Sequence, residues 1–177
     1  MELKFRLLEA SEIECRVAQT FKTKNGKGLS LLLYKDARVD QNILDETVGV
    51  MNWQRHHSRD NANCTVSIWD EEKKQWIEKE DTGTESNTEK EKGLASDSFK
   101  RACFNWGIGR ELYTAPFIYV NESNCNIYEE NGKLKCKDKF VVEKIAYDGD
   151  RNIVSLAIRN VTKKCRCFLM VDGEMKC

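Results

Sequence analysis

Residues 82–119 read T-G-T-E-S-N-T-E-K-E-K-G-L-A-S-D-S-F-K-R-A-C-F-N-W-G-I-G-R-E-L-Y-T-A-P-F-I-Y. The centre of this stretch is patterned as a helix with two unlike faces. Leu94, Ala95, Ser98, Phe99, Ala102, Cys103 and Trp106 recur at four-residue steps and fall on one side. At about 100° per residue, Gly93, Asp97, Lys100, Arg101 and Phe104 fall on the other. Thr88-x-x-Glu91 forms a capping box, with Ser86-x-x-Glu89 an alternative one turn earlier. Gly107 and Gly109 stop the helix, as glycines past a helix end commonly do. One face therefore predicts burial, while the other sets two adjacent cations beside an aromatic ring.

Upstream, residues 1–22 predict helix. Leu3, Leu7, Leu8, Ile13 and Val17 give an apolar side, and Ser11-x-x-Glu14 can cap a second helix. Lys22, Lys24 and Lys27 surround Asn25-Gly26, which makes a basic turn. It is not a Walker loop, because G-x-x-x-x-G-K-[ST] is absent. Gly28–Tyr34 reads as a buried strand, and Asp36–Val48 as an amphipathic helix with Val39, Ile43, Leu44, Thr47 and Val48 inward. Three strands follow at Trp53–Arg59, Cys64–Trp69 and Gln75–Asp81. Trp53 is expected to anchor a core. His56 and His57 are adjacent on a strand, so they face opposite sides and do not readily share a metal. The acidic run Asp70–Glu91 reads as a solvated face that repels DNA locally.

Downstream, residues 121–134 read as a polar loop. Phe140–Tyr147 and Asn152–Arg159 form a hairpin turned by Asp148-Gly149, and Thr162–Val171 is a last strand. Lysines and arginines outnumber acids in this part. Its basic surface is either a solvated sheet or a second DNA surface or subunit contact.

The run K-G-L-A-S-D-S-F-K-R-A-C-F-N-W-G-I-G resembles the signature helix of the Rad fifty-two-type single-strand annealing proteins, a superfamily that includes the phage Sak and bacterial DdrA proteins. Lys92, Ser96, Asp97, Phe99, Lys100, Arg101, Ala102, Trp106 and Gly107 match its pattern. Farther upstream, Arg38, Leu44, Asp45, Glu46, Gly49, Asn52 and Trp53 match a second segment of the family, and I-E-C-R-V resembles a third. The resemblance covers roughly residues 10–120. It implies rings or filaments of subunits with single-stranded DNA in an outer groove, and it places Arg16 in that groove, the alternative being an ordinary solvated arginine. A similar G-I-G-R-x-L-Y follows the helix in phage relatives, and two readings of Arg110 in this chain stay open: contact with phosphate, or pairing with Glu111 or another acid. Some relatives carry a basic residue where this chain has Phe104, so that contact either becomes a stacking surface or a subunit contact, or is lost.

Composition bounds these readings. The chain has 177 residues, 33% charged and 40% hydrophobic with one proline, which fits a globular protein. Its 29 basic residues balance 29 acidic ones, so a nucleic-acid site must be a local patch. No apolar run approaches the roughly 20 residues that span a bilayer, and the start lacks a signal-peptide core, so a cytoplasmic protein with no membrane association is expected. Eight cysteines contain no C-x-x-C pair, which favours structural thiols over metal or redox chemistry. No paired carboxylates or nucleophile–base arrangement stands out, and neither a cofactor nor catalysis is expected. Asp97 beside Lys100 is the one hint of a nuclease, and a salt bridge or helix contact accounts for it more simply.

The expectation is an α+β fold. A curved antiparallel sheet packs against the long signature helix, with a helical N-terminus and a C-terminal β-hairpin extension. Residues 1–120 would be the annealing core and 121–177 the basic extension. Arg16, Lys24, Lys27, Lys100, Arg101, Phe104 and Arg110 are the expected DNA-binding residues. The partners would be single-stranded DNA, further copies of the chain, and a recombinase or single-strand-binding protein. The expected activity is ATP-independent annealing of single-stranded DNA in recombination and repair, with DNA-end protection or structural coating of single strands without annealing as the alternative.

Overall fold

Ile13, Cys15 and Val17 alternate with Glu14 and Arg16, a period of two, and Ile13–Thr23 is a strand, β1. The computed structural model describes residues 3–24, 26–84 and 90–176, without the side chains of residues 90–92. Both capping boxes expected at residues 86–91 lie outside what is described, as do Asn25 of the basic turn and Cys177. The helical N-terminus is overturned. Ile13 and Val17 stand four apart, which suits a helix face and one side of a strand equally. The β-branched and aromatic content of β1 decides for the strand. Before it, Ala10–Glu12 forms a single 3-10 turn, and the Glu9 N–H donates to Glu12 Oε2 at 2.8 Å.

The remaining elements are β2 (Gly26–Lys35), α1 (Ala37–Val48), β3 (Trp53–Ser58), β4 (Asn63–Asp70), β5 (Gln75–Thr82), α2 (Lys90–Trp106), β6 (Ile118–Asn121), β7 (Ile127–Glu130), β8 (Lys133–Cys136), β9 (Phe140–Tyr147), β10 (Ile153–Asn160), β11 (Cys165–Val171) and β12 (Glu174–Met175). A second 3-10 turn spans Arg110–Thr114. Among the described residues strand takes 48% against 21% helical, with two α-helices, so the expected α+β class gives way to a mostly β protein. None of the described helices is long and apolar enough to cross a membrane.

The chain divides into two compact units. Leu8–Lys35 and the segment from Glu111 onward make the larger one. Asp36–Arg110, with the segment ending at Leu7, makes the smaller. The 120/121 boundary read from sequence falls inside β6, a strand of the larger unit.

The larger unit is built on a seven-stranded antiparallel sheet in the order β12-β11-β10-β9-β1-β2-β6. Strands β9 to β12 are thus no appended hairpin, because Glu14 of β1 pairs with Val141 of β9 and makes the sheet continuous. Register shifts in β1 between Val17 and Gln19, and in β10, let the sheet curl. Leu29, Leu31, Leu33, Ile118, Val120, Leu156 and Ile158 fill its interior. The buried Asn160 side chain donates to the Asn124 carbonyl at 2.9 Å and to Asp138 Oδ2 at 2.7 Å, so it carries no unsatisfied amide.

The polar loop expected at 121–134 is instead a hairpin, β7 paired with β8. Asn131 and Gly132 turn it with φ of 53° and 72°, the left-handed pair that a two-residue hairpin turn requires. The Asp148-Gly149 turn also differs from the expected form. Arg151 takes the left-handed conformation at φ 69°, and the Asp148 carboxylate accepts from the N–H groups of Asp150 and Asn152.

In the smaller unit β3, β4 and β5 form an antiparallel meander. Helix α2 packs on β4 and β5, and α1 packs on α2 and β3. The Asp36 side chain caps α1 by accepting from the Arg38 N–H at 2.8 Å. Ser98, Phe99, Ala102 and Cys103 of α2 are buried as the four-residue repeat predicts. Trp53 links three elements. Its indole N–H donates to Asp45 Oδ1 at 2.6 Å, and its ring stacks on Phe99 with centroids 6.1 Å apart.

Gly83 lies where the end of β5 meets α2. A β-carbon there would stand 2.6 Å from the Ser98 backbone nitrogen and 3.0 Å from the Leu94 carbonyl oxygen. Gly83→Ala is therefore expected to destabilise the protein by about 1–3 kcal/mol, read as a lower urea midpoint. An unchanged midpoint would mean that α2 shifts without resistance.

Candidate nucleic-acid interface

Four of the expected binding residues lie in the smaller unit. Lys100 stands half-buried on α2. Hydrogen bonds from the Arg38 side chain and then the Arg38 N–H hold the Asp36 carboxyl down at about 2, and the charges of Arg38 and, last, Lys100 add to them. Arg101 is exposed, with Nε 3.4 Å from Asp81 Oδ1. Asp81 also accepts from the Asn105 amide at 3.2 Å. An exposed pair of this kind contributes about 0–1 kcal/mol, so a phosphate can compete for the guanidinium.

Arg110 is committed elsewhere. Its Nε donates to the Phe104 carbonyl at 2.7 Å and its Nη2 to the Asn105 carbonyl at 2.9 Å. It therefore caps the C-terminal end of α2, where a cation meets the negative end of the helix dipole. The guanidinium also lies 5.4 Å from the Phe104 ring, which brings these two expected residues together. Lys79 joins the same cap, donating to the Asn105 carbonyl at 2.9 Å with its ammonium 4.5 Å from the Trp106 ring. Arg55 lies 4.9 Å from the Phe99 ring. Sequence periodicity could not find Lys79 or Arg55, since both are brought to α2 by strand pairing.

Asp97 has a structural task. It accepts from the Thr84 N–H at 2.9 Å and so ties the end of β5 to α2. His57 lies 3.4 Å from Ser98 Oγ, and burial, followed by the Arg55 charge, holds its imidazolium below the ordinary 6.5.

The other three expected residues lie in the larger unit. Arg16, exposed on β1, pairs with Glu14 at 2.6 Å and lies 5.0 Å from the Tyr34 ring. Lys24 is exposed in the turn, and Lys27, the second residue of β2, lies directly opposite Lys22. Like charges facing each other across a hairpin are unfavourable until an anion relieves them.

Among the described residues no group of three or more His, Cys, Asp or Glu could hold a metal ion. Cys64, Cys125 and Cys167 are buried, and burial pushes the thiols of Cys15, Cys125 and Cys167 up to about 12, which keeps them protonated. No family model, curated protein or solved structure matches the chain.

Proposed function

We propose that this protein binds single-stranded DNA and anneals complementary strands without ATP. The observation that carries the reading is the outward face of α2. There Lys100 and Arg101 follow one another within the signature-like run, and a weak surface pair is what engages Arg101. Two complementary strands repel through their phosphates. Cations that neutralise the backbone and leave base edges open lower that barrier, and they accept any sequence because phosphate contacts carry no base information. Base pairing then supplies the specificity, and no catalytic group is needed. The reading extends to a homo-oligomer, ring or filament, working in the cytoplasm in phage or prophage recombination beside a recombinase or single-strand-binding protein.

The test is annealing of two labelled complementary oligonucleotides across a salt series, with wild type and the Lys100→Ala/Arg101→Ala variant. Loss of two phosphate contacts is expected to reduce the log–log salt slope of strand binding by about 1.4, roughly 0.7 per contact, and to slow annealing. Unchanged binding and annealing by a folded double variant would remove these residues from the site. Tight binding by wild type with no acceleration would convert the reading to a strand-coating protein.

A further inference from the structure

Lys133, Lys135 and Lys137 stand at alternate positions of the chain, and all three are exposed. In β8 a period of two puts Lys133 and Lys135 on one face of the strand. The register of the β7–β8 hairpin sets Glu130 across from Lys133 and Tyr128 across from Lys135, so these share that face. Lys137 joins them, because its ammonium lies 5.5 Å from the centre of the Tyr128 ring. Leu134 and Cys136, both half-buried, alternate to the other side.

Against three lysines this face carries one acid. Glu130 pairs with Lys135, and both side chains are open to water, so a phosphate can displace the carboxylate. Lys133 and Lys137 make no ion pair among the described residues. Glu129 lies across from Leu134 and so on the opposite face. Asp138, next to Lys137, is taken up by the Asn126 N–H and the Asn160 amide, each at 2.7 Å.

The hairpin leans on β1, where Thr20 Oγ1 donates to the Leu134 carbonyl at 3.1 Å. A cleft of about 400 Å³ opens between them, and Gln19, Thr20, Tyr128, Lys135 and Lys137 contribute to its walls. The Tyr128 hydroxyl is buried and has no hydrogen-bond partner among the described residues, so one wall of the cleft holds an unused polar group. Two further lysines stand on the side of β1 that Thr20 occupies: Lys22, two residues on, and Lys27 across from it.

We propose that Lys133, Lys135 and Lys137 hold successive phosphates of one extended DNA strand along the β7–β8 hairpin, with Lys22 and Lys27 adding to the positive potential of the cleft. This rests on the single-strand-binding reading above and adds a contact surface in the larger unit to it. Alternate residues of a β-strand are about 6.8 Å apart, near the separation of neighbouring phosphates in an unstacked strand, so one lysine meets each. A row of single charges at one fixed step suits a polyanion with one charge per repeat. A folded acidic partner presents its carboxylates at irregular distances. The contacts carry no base information, as an annealing protein requires.

The experiment is fluorescence anisotropy of a labelled oligothymidylate over a salt series. Lys133→Met/Lys137→Met removes two charges and keeps the apolar stems, and both positions are exposed, so the core is spared. The variant is expected to lower the log–log salt slope by about 1.4, roughly 0.7 per contact, while Lys133→Arg/Lys137→Arg keeps the wild-type slope. Lys144→Met/Lys164→Met removes two exposed charges elsewhere in the larger unit and is expected to leave the slope unchanged. A wild-type slope in Lys133→Met/Lys137→Met would overturn the lysine row and leave the proposed function standing. An equal loss in Lys144→Met/Lys164→Met would reduce the effect to net charge and overturn the row alone. Polyglutamate of equal charge competing as well as unlabelled oligothymidylate would make the face a site for an acidic protein and overturn the row. Failure of wild type to bind the strand at any salt concentration would overturn both readings.

Discussion

Glu111→Ala is expected to destabilise the protein by about 3 kcal/mol, the lower end of what breaking a buried charge pair costs. The Glu111 side chain is fully buried. Its Oε1 accepts the Leu8 N–H at 2.8 Å, and its Oε2 lies 3.9 Å from Arg151 Nη2. Alanine would leave the Leu8 N–H without its acceptor and Arg151 without its carboxylate. The Arg151 side chain is 30% exposed, so water offsets part of the loss. Glu111→Gln keeps the volume and the acceptor and removes the charge, so a smaller loss of about 1–2 kcal/mol is expected. Urea unfolding with both variants and Arg151→Met would measure the coupling. An alanine variant within 1 kcal/mol of wild type would show that the carboxylate's own desolvation cancels what it stabilises.

Phe99→Ala is expected to cost about 3–5 kcal/mol in the smaller unit. The residue is wholly buried, stacks on Trp53 and receives the Arg55 guanidinium at 4.9 Å. Truncation would open a cavity under Trp53, whose indole also anchors Asp45 of α1, so α1, β3 and α2 would loosen together. Phe99→Leu refills most of the space and is expected to lose about half as much. Tryptophan fluorescence would follow Trp53 along with the other three indoles, so Trp53→Phe serves as the spectral control. Equal stability of the alanine and leucine variants would argue that the site collapses without a cavity.

Local order in the smaller unit was legible because period and punctuation agree there. β3, β4 and β5 alternate and are separated by polar turns, and Asp36 stands directly before the apolar repeat of α1. In β1 the Ile13–Val17 spacing satisfies two periods at once, and Cys15 on the same side is the residue that separates them. β7 and β8 were missed although Asn131-Gly132 marks their turn, because Tyr128-Glu129 and Lys133-Leu134-Lys135 are too short and polar to announce strands. The order of the larger sheet hangs on the pairing of Glu14 with Val141, which no local pattern encodes. The same limit applies to function. The outward placement of Lys100 and Arg101 follows from helical geometry alone. Arg110 as a cap, and the meeting of Thr20 with Leu134, depend on where distant backbone ends up.

Strand β2 ends at Lys35, yet its neighbour β6 begins only at Ile118, and Asp36–Arg110 of the smaller unit lies between them. On the ribosome that inserted segment is complete before β6 exists. At ~5–20 residues per second, the wait between the two strands is on the order of ten seconds. Throughout it, Leu29, Leu31 and Leu33 have neither β6 nor β9 to β11 to cover them. Closing so long a loop adds little free energy, since that penalty grows only logarithmically with length. The consequence is one of timing: once β2 has been made, the nascent chain carries an uncovered apolar hairpin until β6 and the strands after it emerge.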